Sequence, residues 1–336
     1  MRGVFLTLAL LAPALAPAQV VRGRVVEESG APVARALVEL RRLDGTVAAR
    51  GSSAASGSYV LLAPDEGSYR LRIAAIGYAP HTSAPFVVAA QGASHPDVRL
   101  ARVAVTLAEL QVLERSRCGS GGGGAVLARL LDGARTSLDV MQATLAADSG
   151  FAVRLVRRTA LATRRDSLVT ADTSAAEMVR WPIESVDPDS IREVGFMVVG
   201  PVEGGRGYHW FGPDVRVLFA DWFLANHCFR VAPRDAADST ITVEFTPERF
   251  TRRVDIAGTL VLDATSLALH RLTFEHRHLP NGLRQGSAGG AIQVAERPDG
   301  VWLPVEWRIF APIVGSRFRG PIGTSELAGY VLDGAP

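Results

Sequence analysis

Between Val20 and Arg102 the chain sets short apolar runs between turn-forming residues at intervals of roughly 8–12 positions, and few folds accept that rhythm. VVRGRVVEE (20–28) alternates, and Ser29-Gly30-Ala31-Pro32 is a turn. ALVELRR (36–42) alternates again, and Leu43-Asp44-Gly45-Thr46 is a hairpin signal. TVAARGSS, GSYVLLAP, GSYRLRIAAIGY, APFVVAA and PDVRLARV continue the series, which predicts a β-sandwich of seven strands. Within it the Gly-Ser-Tyr phrase occurs twice, at 57–59 and 67–69. It reads as one hairpin, with strands starting at Tyr59 and Tyr69 and Pro64-Asp65-Glu66-Gly67 as the turn.

The N-terminus constrains the compartment. Arg2 precedes VFLTLALLAPALA (4–16), an apolar stretch too short to span a bilayer, and Ala16-Pro17-Ala18 fits the small-x-small rule for cleavage before Gln19. Residues 1–18 are therefore expected to be a signal peptide, and the mature protein to be periplasmic, outer-membrane-associated or extracellular. No later stretch reaches the ~20 apolar residues of a transmembrane helix. In an oxidising space the two cysteines, Cys118 and Cys228, are expected to form a disulfide.

Charge excludes several classes. The net charge of +2 gives no basic field for nucleic acid. All 36 Lys+Arg side chains are arginine, so no Schiff-base lysine, Walker-type phosphate lysine or Ser-x-x-Lys acylation pair exists.

The series Gly30-x-Pro32-x-x-x-Ala36-x-Val38-x-Leu40, then Gly57-x-Tyr59, Gly67-x-Tyr69-x-Leu71 and Ile76-Gly77-Tyr78, resembles the carboxypeptidase regulatory-like domain. That resemblance implies a transthyretin-like (prealbumin-like) sandwich over about a quarter of the chain and an accessory or adhesive role rather than carboxypeptidase activity. VTLAELQVLE (105–114) is similar to the linker that follows such a module in TonB-dependent outer-membrane receptors, but their plug and barrel would not fit in 336 residues.

Beyond a linker (104–124) ending in Gly121–Gly124, AVLARLLDGARTSLDVMQATLA (125–146) takes a helical period. FAVRLVRR (151–158) and the stretch around Arg165–Thr170 read as strands, and DVRVLFADWFLANHCF (214–229) as a helix capped by Asp214. STITVEFTP (239–247), RRVDIAGTLVLD (252–263), LALHRLTFEHRHLP (267–280), GGAIQVAE (289–296) and GVWLPVEWRIFAP (300–312) then predict antiparallel strands. Gly258-x-Leu260-x-Leu262-Asp263-x-x-Ser266-x-x-Leu269 is faintly similar to the curved half-barrel of envelope lipoprotein carriers. The expected fold is mainly β: a sandwich over 19–103 and an α+β domain with a curved antiparallel sheet over 125–336.

Chemistry is sparse. There is no His-x-x-Glu, His-Glu-x-x-His or Gly-x-Ser-x-Gly. Tyr208, His209, Trp210 and Asp214, with Trp222 and His227, are candidates for a ligand cleft or, more simply, a core corner. On a regular strand His270, His276 and His278 share a face, and His276 and His278, about 6.5–7 Å apart, are candidate metal ligands. No cofactor is expected. The expectation is a non-enzymatic envelope protein whose partner is an envelope protein, a glycan or an outer-membrane component. The alternatives are a carrier of an apolar ligand in the C-terminal sheet and a hydrolase of an unrecognised family.

Overall fold

The computed structural model describes residues 19–103, 105, 124–147, 151–162, 167–178, 185–202, 205–233, 238–249, 251–298, 300–314 and 321–331. The first unit is a sandwich. One sheet contains β4 (Ser58–Ala63), β1 (Gln19–Glu27) and β8 (Ala93–Ser94) in that order, with β9 (Val98–Leu100) on the second half of β1. The other contains β3 (Val47–Ser52), β2 (Leu37–Arg42), β5 (Gly67–Ala74) and β6 (His81–Thr82), with β7 (Phe86–Val88) also on β5. Seven of these strands are three residues or longer, the number the rhythm predicts. Alternation buries Tyr59 and Leu61 of one sheet against Val38, Leu40, Tyr69, Leu71 and Ile73 of the other.

The doubled Gly-Ser-Tyr phrase is not a hairpin. β4 pairs with β1 and β5 pairs with β2, so residues 64–66 cross from one sheet to the other. The reason lies in the tyrosines, which enter one core from opposite walls. Tyr69 Oη donates to the Asp65 carbonyl (2.9 Å) and pins the crossing. The Tyr59 hydroxyl has no hydrogen-bond partner among the described residues, and burial, followed by the charge of Asp97, raises its pKa to about 12. Gly23 makes room for it, since a Cβ there would lie 2.4 Å from Tyr59 Oη.

The second unit is a nine-stranded antiparallel sheet with one covered face. Its order is β11 (Ser167–Met178), β10 (Phe151–Ala162), β20 (Pro321–Val331), β19 (Trp302–Val314), β18 (Gly289–Glu296), β17 (Leu269–Arg277), β16 (Asp255–Asp263), β15 (Thr240–Pro247) and β14 (His227–Val231). Helix α1 (Gly124–Ala147) lies against β16, β17 and β19. Its Leu130, Ala134, Leu138 and Met141 share one core with Leu260, Leu272, Ile292 and Trp307 of the sheet. Burying a Leu- or Met-sized side chain stabilises by about 1.5–3 kcal/mol, so this stripe alone secures the helix. Among the described residues no helix is long and apolar enough to cross a membrane.

Three segments differ from the sequence expectation. Residues 214–229 are not one helix but α3 (Val215–Leu218), α4 (Asp221–Asn226) and then β14. Cys228 to Val231 pair with Val243 to Thr246, and that ladder outweighs a weak helical pattern. Asp187 caps α2 (Pro188–Val194), as its VDPDS context suggests, and the aromatic stretch after it is strand. β12 (Met197–Val202) and β13 (Gly205–Trp210) form that separate hairpin. β20 also escapes the period-two reading.

The two units touch. Glu39, 3% exposed at its side chain, receives Arg41, Arg50 and Arg72, and Arg72 also reaches Asp139 of α1 at 3.0 Å. Val103 and Val105, which follow the sandwich, pack on the core of the second unit.

Candidate functional site

The predicted aromatic cluster folds as a packed corner. Trp210 closes β13 and meets Tyr208 and His276 edge-on, at ring-centroid distances of 5.9 and 5.0 Å. His276 is 2% exposed and its Nε2 lies 2.9 Å from the Phe211 carbonyl. Burial holds the His276 imidazole below its ordinary pKa and outweighs that hydrogen bond, so the ring is neutral at pH 7. His209, one residue out of phase, is exposed and bonds the Pro201 carbonyl at 2.9 Å. It does not converge with its neighbours.

Asp214 and His227 are held in structural bonds. Asp214, 3% exposed, accepts from the Val217 amide (2.9 Å) as N-cap of α3 and pairs with Arg216 at 2.7 Å. Its Oδ2 also accepts from the Ser185 amide at 3.3 Å, while Arg216 donates to the Ser185 carbonyl. The His227 ring stacks on Phe223 at a centroid distance of 3.7 Å, with Nδ1 3.0 Å from the Phe223 carbonyl. Its Nε2 lies 3.2 Å from the Ile256 carbonyl and from Asp255 Oδ1. Asp214→Ala is expected to destabilise by about 2–3 kcal/mol, through the lost cap and the orphaned Arg216. Asp214→Asn keeps an acceptor for Val217 and should lose less in a denaturant titration.

The histidine row is broken at both ends. A register shift between Val261 and Leu262 leaves His270 as the extra residue of a bulge, 3.9 Å from Asp263 and edge-on to Trp302. His278 lies past the end of β17 with φ 56°, so the strand's alternation does not extend to it. Regular spacing therefore does not bring His276 and His278 to one face. Among the described residues no group of three or more His, Cys, Asp or Glu is placed to hold a metal ion. Cys228 sits in edge strand β14, not at a helix end, and no described cysteine is free. Cys118 lies outside the described residues.

Among the described residues, cavities open elsewhere. One, of about 280 Å³, lies where the units meet, between Ile76 and Tyr78 of the sandwich and Val140, Glu296 and Trp302 of the second unit. A second, about 460 Å³, lies over Gly258, with Glu244, Thr259, Thr273, Glu275 and Arg277 around it. A third, about 280 Å³, is floored by Ile191, Phe196, Trp222 and Val254 and rimmed by Arg192, Arg249 and Arg253. Of the six residues the sequence proposed for a ligand cleft, only Trp222 lines any of these three. The arginines went unnoticed, although Arg249 and Arg252-Arg253 form a visible cluster in PERFTRR.

Fold and core packing of the first unit define a transthyretin-like sandwich. Residues 20–101 match the family model of the carboxypeptidase regulatory-like domain, and that segment of the chain is such a domain. No curated protein matches the chain. Among solved structures, a cohesin–X-dockerin complex from Acetivibrio cellulolyticus is similar over 24% of this chain at 14% identity (TM-score 0.21), and this chain covers 56% of that one. A 9R-lipoxygenase from Cyanothece PCC8801 aligns with 85% of this chain and 43% of its own at 10% identity (TM-score 0.23). A DUF1329 family protein from Desulfovibrio piger aligns with 59% of this chain and 92% of its own at 9% identity (TM-score 0.22). Scores this low establish no common overall architecture.

Proposed function

We propose that the chain is an exported, non-enzymatic envelope protein, in which the carboxypeptidase regulatory-like domain is an accessory binding or assembly module for an envelope protein, a glycan or an outer-membrane component. The observation that carries this reading is the filled interior of the second unit. A carrier would need the inward residues of β16 to β19 to line a hollow, whereas Leu260, Leu272, Ile292 and Trp307 are at most 2% exposed and packed under α1. The outside of the sandwich, in contrast, offers apolar surface. Val60 and Leu62 on β4 are 60% and 58% exposed, with Val20 of β1 opposite Leu62. Asp214 and His227 support a non-catalytic reading, because the carboxylate is engaged in a helix cap and an ion pair and both ring nitrogens in core bonds. Support for export comes from the leader pattern of residues 2–18.

Intact-mass analysis of the protein purified natively from its envelope fraction tests the reading. A chain beginning at Gln19, two hydrogens lighter than its reduced form, is expected, with no co-purifying lipid in a solvent extract. The Cys118–Cys228 bridge would close a loop long enough to contribute about 4–5 kcal/mol. A retained leader would overturn export, and two free thiols would remove the bridge. A stoichiometric apolar molecule would make the chain a carrier.

A further inference from the structure

The cavity between α2, α4 and the β15–β16 loop carries a charge imbalance that no carboxylate among the described residues lining it cancels. Arg192, Arg249 and Arg253 line it, and Asp255 is its only carboxylate. Asp255 Oδ1 is already engaged, accepting from the Ile256 amide at 2.8 Å and lying 3.2 Å from His227 Nε2. Arg253 donates through one nitrogen to the Arg192 carbonyl at 2.9 Å, which fixes the stem and leaves other guanidinium donors available. Arg192 has only an exposed approach of 3.7 Å to Asp189. Arg249 has no ion-pair or hydrogen-bond partner among the described residues.

Like charges lining one concavity raise its potential and attract a counter-ion. Below this rim the floor is apolar, with Ile191 and Phe196 each 1% exposed and Val254 4%. The indole Nε1 of Trp222, a donor only, is buried without a partner. Guanidinium forks favour oxyanions bidentately. We infer that this cavity binds an oxyanion, a phosphate or carboxylate group, carried on an apolar or aromatic body that rests on Trp222 and Phe196. A volume of about 280 Å³ admits a group of benzenoid size but not a folded chain. This inference is independent of the accessory reading, because the guanidinium groups are the same whether or not the chain is exported.

Calorimetric titration of the full-length mature protein with phenyl phosphate, benzoate and phenol tests it. Phenyl phosphate and benzoate are expected to bind at one site, with affinity that falls as salt rises, and phenol is expected not to bind. The double variant R192A/R249A should weaken binding tenfold or more, and R192K/R249K should recover only part, because lysine lacks the planar fork. Neither side chain supports the fold, so both variants should melt like the parent. A parallel arm uses phosphatidylglycerol vesicles. Vesicle binding that the double variant abolishes, without binding of phenyl phosphate, would assign the oxyanion to a lipid headgroup. Binding of phenol equal to that of phenyl phosphate, binding unchanged in R192A/R249A, or no binding to any probe would overturn the site.

Discussion

Glutamine in place of Glu39 is expected to lower the stability of the sandwich by about 3 kcal/mol, measured by denaturant unfolding at pH 7. The carboxylate is 3% exposed and accepts from Arg50 Nε at 2.8 Å, from Arg41 Nε at 2.9 Å and from Arg72 at 3.4 Å. An amide of the same shape turns donors towards three guanidinium groups and leaves them facing one another. Removing one partner of a buried pair is costly for that reason, even where the intact pair contributes little net stability. Arg72 carries the effect further, since its other nitrogen holds Asp139 of α1. Asp139→Asn alone should destabilise by about 1 kcal/mol, and the double variant by less than the sum, because both act through Arg72.

The same carboxylate sets an acid limb. Burial pushes the Glu39 pKa up, but the hydrogen bond and charge of Arg41, with the charges of Arg50 and Arg72, hold it below the ordinary 4.5. The unfolded chain therefore binds a proton more readily than the native one in this range. Glu39's contribution is complete above pH 4.5 and is lost as pH falls through the lowered native value. Glu39→Gln should flatten that part of the stability–pH curve, and an unchanged limb in the variant would remove Glu39 as its cause.

The sandwich was legible because its signal is local: turn residues at short intervals and period-two burial, as in β4, where Tyr59 and Leu61 go in and Val60 and Leu62 go out. What local pattern cannot carry is which strand pairs with which. The repeated Gly-Ser-Tyr phrase looks like a hairpin, and only the need to fill one core from two walls separates β4 from β5. For the same reason the helical period at 125–146 was readable, whereas the strand at His227–Val231 was not, since it exists by virtue of pairing with β15. At the corner, the residue types were read correctly as aromatic and ionisable, but their commitments were not. A carboxylate such as Asp214 looks the same in sequence whether it caps a helix or faces a ligand. The arginine-rimmed cavity assembles Arg192 with Arg249 and Arg253 across more than 50 positions, a juxtaposition that only tertiary structure supplies.

Alanine at Gly133 is expected to destabilise the second unit by about 2 kcal/mol and valine by about 3 kcal/mol. In an ordinary solvent-facing helix the change from glycine to alanine gains roughly 1 kcal/mol, so the prediction has the opposite sign. The cause is distance. A Cβ at Gly133 would lie 2.7 Å from Leu267 Cβ and 2.8 Å from its carbonyl oxygen. Neither side has room to retreat. Leu267 is fully buried with φ 56°, and Asp263 Oδ1 fixes the turn before it by accepting from the Thr265 and Ser266 amides. Opposite, the Ser137 hydroxyl donates to the Gly133 carbonyl at 2.9 Å and accepts from the Leu269 amide at 3.0 Å, tying helix to strand at that point. A side chain inserted there pushes α1 away from β17 and uncovers the apolar wall of Leu260, Leu272 and Ile292. Gly133→Val should therefore also bind an apolar fluorescent dye under conditions where the parent does not. An alanine variant more stable than the parent would mean that α1 stands off the sheet, and the filled interior on which the non-carrier reading rests would fall with it.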